Sequence, residues 1–488
     1  MGKTLPNNWV DTELGNILDI ITNGINIEQL DCPINDKSLP ISRIETIANE
    51  TIDFNRVKYC DPTQEQHNKY LIAKGDILFS HINSDKHLGK TAIYNSETPL
   101  IHGVNLLRLR SYEYIYNSFL LNYVFKYLRM QGAFIDIAQR AVNQSSINQK
   151  KLNNVIIPLP PLPEQERIAN KLDALFVQLD TVRTAMERIP TLLKNFRQQV
   201  LTQAVTGKLT EEWREDKELE DVSSIIENIR KRRIKENKNK NTELVRIASV
   251  YSDQSSSIDF DFFDEWIEVN LDKVCSKFAY GTSSKSENFG KYPVIRMGNL
   301  QNGKIDWSDL KYTSDEKEYK KYGLRKGDIL FNRTNSPELV GKTAIYDGKY
   351  DSIYAGYLIK IFNYEELDSR YLNIVMNTQY AKRWCWDNKT DGVSQSNINA
   401  QKLSKFTIPF PGPNEQQEIV HRVESLFSQA NVIEQQYLSL KQKTDNLPQA
   451  ILHKAFKGEL VEQLPTDGDA RDLLRQIEEL KQSTKKKK

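Results

Sequence analysis

Cysteine is scarce and scattered in this chain: Cys32, Cys60, Cys275 and Cys385 are the four in 488 residues, and no two form a CxxC pair. Neither a zinc ribbon nor a dense disulfide framework is indicated, and a reducing, cytoplasmic setting suits such a composition. Long hydrophobic runs are missing as well. No stretch approaches the ~18–20 apolar residues that cross a bilayer, and the opening MGKTLPNNWVD lacks the apolar core of a signal peptide. Neither export nor membrane insertion is expected. Charge of one sign is not in excess either. A net charge of +2 is too small to mark a nucleic-acid binder by bulk electrostatics, although it leaves room for a local basic surface. The basic blocks, Arg230 to Arg233 with Lys235, Lys238 and Lys240, and Lys485 to Lys488, read either as solvated helix and tail or as phosphate contacts.

Catalytic signatures are also lacking. GKT occurs at Gly89 and Gly341, but a phosphate-binding loop requires glycine five positions earlier, where Ser84 and Ser336 stand; both read as turns entering a strand. There is no Asn/Asp-Pro-Pro-Tyr/Phe segment of the kind an adenine-amino methyltransferase carries, and no G-x-G-x-x-G follows a strand. The six histidines include no HExxH pair, and there is no Gly-x-Ser-x-Gly elbow. His81, His87 and His102 lie close in sequence, but Arg333 and Leu339 stand at the places matching the first two, so a metal site is not expected.

What the chain does have is a repeat. Gly75 to Phe79 (GDILF) returns as Gly327 to Phe331, and Gly89 to Tyr94 (GKTAIY) as Gly341 to Tyr346. Pro158 to Ile168 (PLPPLPEQERI) is answered by Pro409 to Ile419 (PFPGPNEQQEI), and the opening Trp9 and Leu14 by Trp266 and Leu271. Between these marks, short β-rich runs separated by Gly, Asn, Asp and Ser predict a small mixed domain with a twisted sheet, present twice. Asn117 to Gln131 reads as a packed helix that Ser369 to Trp384 would match.

After the proline-rich segment a helix is predicted from Glu164, whose early acidic residues suit a helix N-terminus. Its apolar residues keep a heptad: Ile168, Leu172, Leu175, Leu179, Val182, Met186, Ile189, Leu193, Phe196 and Val200. The second copy places Ile419, Val423, Leu426, Ala430, Ile433, Tyr437, Leu440, Thr444, Leu447 and Ile451 in the same register, with Thr444 alone polar. Two distant segments that share one seam most simply pack on each other. Pro190 and Pro448 should kink or divide the helices, and Gly207 and Gly458 should end them with a left-handed cap. At ~1.5 Å per residue the first helix reaches on the order of 60 Å, enough to hold two domains apart. Ile225, Ile226 and Ile229 continue the repeat as Leu473, Leu474 and Ile477, and residues 237–259 are the best linker candidate.

Polar residues concentrate where the copies diverge beside this common frame. After GDILF the first copy has Ser80, His81, Ile82, Asn83, Ser84, Asp85 and Lys86, and the second Asn332, Arg333, Thr334, Asn335, Ser336, Pro337 and Glu338. Arg and Lys make bidentate contacts to guanine, and Asn or Gln to adenine, so changing such a loop changes the sequence read without altering its support; a solvated loop is the plain alternative. The Gln144, Ser145, Ser146, Ile147, Asn148 run recurs as Gln395, Ser396, Asn397, Ile398, Asn399. Its side chains either cap a turn or helix, the favoured reading, or contact phosphates. Candidate DNA contacts are therefore Ser80, His81, Asn83, Lys86, Lys90, Gln144 and Ser145 in the first copy. In the second they are Arg333, Asn335, Ser336, Lys342, Gln395 and Ser396.

The proline-rich entry at Ile157 to Ile168, the Gln-Ser-x-Ile-Asn motif, the GDILF and GKTAIY blocks and Gly207 to Arg214 (GKLTEEWR) together resemble the specificity subunits of type I restriction-modification systems. The resemblance covers almost the whole chain; the second copy departs at Gly412, Asn414 and Gln417. It implies an α+β fold of two pseudo-symmetric mixed α/β target-recognition domains, 1–157 and 261–408, separated by two long antiparallel helices, 158–210 and 409–460, that form a coiled coil. Residues 211–260 would form a charged helix and linker, and 461–488 a C-terminal helix and basic tail. Ile168, Leu172, Leu175, Leu179, Val182, Ile419, Val423, Leu426, Ile433 and Leu440 would pair the helices. The resemblance further implies a non-catalytic recognition subunit that binds a bipartite, asymmetric double-stranded DNA site. Two modification subunits would dock on the helices and carry S-adenosylmethionine, and two restriction subunits would carry ATP and magnesium (Mg). No cofactor, metal or membrane is expected on this chain. The competing expectations are a coiled-coil adaptor for proteins, the recognition part of a restriction enzyme with its own methyltransferase, and an inactive specificity subunit.

Overall fold

A computed structural model describes residues 5–141, 144–253, 258–393 and 395–486. The chain folds into two compact units, residues 1–187 with 438–488, and residues 188–437. Each unit thus contains one copy of the globular repeat together with parts of both long helices.

Ile77–Phe79 is wholly buried, so a continuous apolar run suits an interior strand. It lies between Leu107–Ser111 and Thr91–Ile93 in a four-stranded antiparallel sheet whose other edge is Leu18–Asn23. Ile329–Asn332 takes the same place in a six-stranded sheet: Ile329 faces Ile345 and Ile361, as Ile77 faces Ile93 and Leu109. Asp76 shows why the block begins Gly-Asp. Its carboxylate accepts from Ala73 N at 2.9 Å and from the Arg110 guanidinium at 2.6 and 2.8 Å. Asp328 accepts from Arg325 N at 2.7 Å and pairs with Lys360. Gly89 and Gly341 adopt φ of 74° and 91° in the turns before Thr91–Ile93 and Thr343–Ile345, where a side chain would collide with Phe134 or Cys385.

Behind the first sheet, Asn117 caps the helix Ser118–Met130, which packs Phe125 against Phe79 and Phe134. The matching stretch is not one helix. It divides into Ser369–Met376 and Gln379–Asn388 because the Thr378 hydroxyl accepts from Ala381 N and starts a new helix.

The proline-rich segments are strands, Ile156–Leu159 beside Val10–Glu13 and Thr407–Phe410 beside Ile267–Asn270. The helices then begin at Leu162 and Pro413, slightly ahead of the expected Glu164. The first is divided near Pro190 into Leu162–Glu187 and Ile189–Thr206, whereas Pro448 lies inside the unbroken Pro413–Ala455. Gly207 and Gly458 both take positive φ after the helix ends.

The two helices run antiparallel. In the first unit, Ile168, Ala169 and Leu172 share a core with Leu452, Ala455 and Phe456, while Met186 meets Thr444. In the second, Arg197 donates to Asn431 and Glu434, and Val200, Ala204 and Val205 share a core with Ile419, Val420 and Val423. Burial is confined largely to one row, Leu172, Leu179, Met186, Leu193 and Val200. Leu175 and Leu426 are half-buried. Five residues expected in the seam, Val182, Phe196, Ile433, Leu440 and Leu447, instead stand 44%, 37%, 49%, 48% and 43% exposed. The small Ala430 and Thr444 are buried on the facing row; they let the helices close there, which turns the alternate row outward.

The expected linker also needs correction. Within residues 237–259, Asn241–Ser252 is a helix that buries Ile247 and donates from the Tyr251 hydroxyl to Lys273 O at 2.8 Å; residues 254–257 lie outside the described residues. Leu244, Ile247 and Tyr251 supply its inward face, a pattern that the charged flanks obscure. Three arginines of the basic block before it are structural: Arg233 is buried and donates to Asp272 O, Arg232 pairs with Glu365 and Glu366, and Arg230 with Glu227; Lys231, Lys235, Lys238 and Lys240 are exposed. Of the terminal lysines, Lys487 and Lys488 lie outside the described residues. No helix among the described residues is long and apolar enough to cross a membrane.

Candidate nucleic-acid interface

In each unit a small three-stranded sheet brings together two groups of residues that are far apart in sequence. Ser145 and Ser146 pair with Asn83 and Ile82, and with Arg140 and Gln139 on the other side. In the second unit Asn397 and Ser396 pair with Thr334 and Asn335, and with Thr390 and Asp391. The buried Ile147 and Ile398 anchor these sheets through backbone bonds to His81 O and Arg333 O, both 2.9 Å. Asn148 and Asn399 then cap the next helices by accepting from Lys151 N and Lys402 N at 2.8 Å.

Burial separates supports from surface. Ser80, Ser145 and Ser396 are buried, so as placed they hold the sheet rather than touch a ligand. Ser80 accepts from Asn83 Nδ2 at 3.2 Å, Ser145 donates to Asp85, and Ser396 donates to Asp391. Lys90 and Lys342 are half-buried tethers, donating to Ala48 O and, at 2.9 Å, to Gln301 Oε1. Lys86, Gln144 and Gln395 are exposed; His81, Asn83, Arg333, Asn335 and Ser336 are partly exposed. The Asn83 and Asn335 side-chain oxygens accept from Ser84 N and Ser336 N, at 2.9 and 2.8 Å, which fixes both loops.

Burial lowers the pKa of His81 below its ordinary value and takes that of His102 down to about 4. The His102 ring binds Leu106 O, and the described residues contain no metal-holding group of His, Cys, Asp and Glu.

Other exposed groups flank the second loop and were not singled out from sequence. The Arg333 guanidinium lies over the Tyr280 ring at 4.7 Å, and Arg333 N donates to Tyr357 O at 3.0 Å. Tyr280 and Tyr357 are both exposed. The Lys389 side chain, 8% exposed and paired with Asp391, lies over the exposed Trp386 ring at 4.3 Å. An arginine beside exposed aromatic rings can stack on bases and neutralise phosphates. Tyrosine and tryptophan spaced among basic residues were the available signal; Trp386 lies just past the expected helix, which ends at Trp384, and inside the observed Gln379–Asn388.

Two mixed domains, each placing a variable loop on a constant sheet and each joined to antiparallel helices, define a duplicated recognition module. A family model described as the type I restriction modification DNA specificity domain matches residues 6–190 and 263–442, and the chain belongs to this family. It is 26% identical over 466 residues to the type I restriction enzyme EcoKI specificity subunit of Escherichia coli K12, covering 94% of this chain and 90% of that protein. It is 38% identical over 221 residues to a putative MjaX specificity subunit of Methanocaldococcus jannaschii, covering 43% and 51% of the two chains. Its fold is similar to that of the HsdS subunit from Thermoanaerobacter tengcongensis, with a TM-score of 0.54 at 17% identity, over 93% of this chain and 98% of that one. A second chain, from a structure of type I R-M complex assembly, gives a TM-score of 0.59 at 18% identity over 93% and 99%.

Proposed function

We propose that this chain is the DNA-specificity subunit of a type I restriction-modification complex and reads a bipartite, asymmetric double-stranded site. One observation carries this reading: the two units hold different exposed loops, His81 to Lys86 and Arg333 to Glu338, on small sheets with the same pairing. A common support orients each loop equivalently, while the side chains determine which bases are preferred.

In this reading the chain performs no bond chemistry. Two modification subunits dock on the long helices and two restriction subunits join the complex, with S-adenosylmethionine, ATP and Mg held on those partners. The exposed residues of the alternate row, Val182, Phe196, Ile433, Leu440 and Leu447, support docking because they present apolar surface that a partner helix would remove from water. The modification subunit would methylate adenine N6 after extruding the base, and the specificity subunit would set which adenine it reaches. Mapping methylated adenines in cells carrying the chain and its modification partner tests this reading. It requires one split sequence, and methylation that does not depend on this chain would overturn it.

A further inference from the structure

The two heads differ in the strand after GDILF, yet the hairpin beside it repeats. Val393, Gln395 and Ser396 of the second head answer Val142, Gln144 and Ser145 of the first. Residues common to two readers of different half-sites cannot encode the difference; they suit something both half-sites share. In the second head the hairpin is firmly based. Thr390 and Asp391 pair with Asn397 and Ser396, and Gly392 N donates to Gln395 O at 2.8 Å. Asp391 binds Ser396 and Lys389, while Lys402 donates to Asn388 O and Thr390 Oγ1, both at 2.8 Å. Val393 nevertheless stands fully in solvent at the tip, with the exposed Gln395 beside it.

An isopropyl group has no hydrogen bond to offer a phosphate, and full hydration of an apolar tip on a rigid mount has no folding benefit. Apolar side chains of this kind enter DNA between base steps and unstack them. We propose that Val393 wedges into the duplex beside the base to be modified, with the Gln395 amide meeting the base left without its partner. The proposal rests on the DNA-reading function above. It separates two tasks within one small sheet: the Arg333 strand chooses the sequence, and the hairpin tip opens it.

The test uses the full chain assembled with its modification subunits, on a duplex with 2-aminopurine replacing the target adenine of the half-site read by the second head. Methyl transfer is measured separately on unsubstituted DNA. Val393→Ala and Gln395→Ala should reduce both the fluorescence rise and methylation at that half-site by roughly tenfold, with the preferred sequence and the other half-site unchanged. Val393→Leu should restore most of the loss, and a mismatch at the target base, which is easier to extrude, should rescue Val393→Ala. Wild-type fluorescence and methylation in both alanine variants would overturn the wedge while leaving the DNA-reading function intact, as would a changed preferred sequence. A wild-type complex that modifies no split sequence would overturn both.

Discussion

The two long helices begin alike but are completed differently. Trp9 Nε1 donates to Glu164 Oε2 and Trp266 Nε1 to Glu415 Oε2, both at 2.8 Å and both buried. Glu415 Oε1 then receives Arg214 at 2.6 Å and Thr210 at 2.7 Å. Glu164 Oε1 is buried without a hydrogen-bond partner, and the nearby Arg167 is taken by Asp467 at 2.7 and 2.8 Å. Burial, with the nearby Asp467 carboxylate, raises the Glu164 pKa against the hydrogen bonds of Trp9 and Asn8 and the Arg167 charge. Thus the repeated tryptophan and glutamate fix the geometry, while the charge balance depends on the GKL turn. GKLTEEWR supplies Thr210 and Arg214, whereas Val461 and Pro465 occupy the matching places after Gly458.

The largest expected effect breaks the completed junction. Glu415→Ala leaves the Arg214 cation without its buried partner and should cost ~3–5 kcal/mol of unfolding free energy. A loss below ~1 kcal/mol by denaturant titration would show that the junction contributes little. Next, the helix rows can be compared. Leu179→Asp places a charge in the buried row and should destabilise by ~3 kcal/mol or more, whereas Val182→Asp should change stability by only about 0.5 kcal/mol while weakening capture of the modification subunit. Equal losses of stability would erase the distinction between the rows.

A comparison of the loops follows. Arg333→Ala with Asn335→Ala should remove ~1–3 kcal/mol of discrimination at one half-site, leave the half-site associated with His81 and Asn83 unchanged, and preserve assembly. Relaxation at both half-sites in a methylation map would contradict separate reading. The smallest effect concerns Glu164. Gln keeps an acceptor for Trp9 and removes a poorly partnered charge, so Glu164→Gln should match or exceed the native stability at neutral pH by about 1 kcal/mol or less. With its folded pKa raised, native Glu164 favours folding relative to Gln most below its unfolded pKa and loses that contribution as pH rises through the folded pKa. Unfolding curves measured from acid to neutral pH should show the variant gaining in relative stability. A constant difference would remove Glu164 as the source.

The repeated frame was legible because strong local chemistry marks it: a buried apolar strand after Gly-Asp, positive-φ glycines before the next strand, and helices after proline. The heptad revealed that the helices pair, but not which apolar row is covered, because that depends on small residues across the seam. The helix around Ile247 was missed because its flanks are charged and polar. For the candidate interface, the two loops and the Gln-Ser motif were visible as separate sequence features. Strand pairing unites them, and burial reassigns Ser80, Ser145 and Ser396 from contact to support. The aromatic partners of Arg333 come from other strands and loops, which local sequence does not bring together.

The most direct measurement replaces residues 261–408 with the corresponding head of another family member and maps adenine methylation by the assembled complex. The account predicts one new half-site, with the other half-site and the distance between them retained. An unchanged split sequence, or simultaneous change of both halves, would contradict two independently reading heads on a common frame.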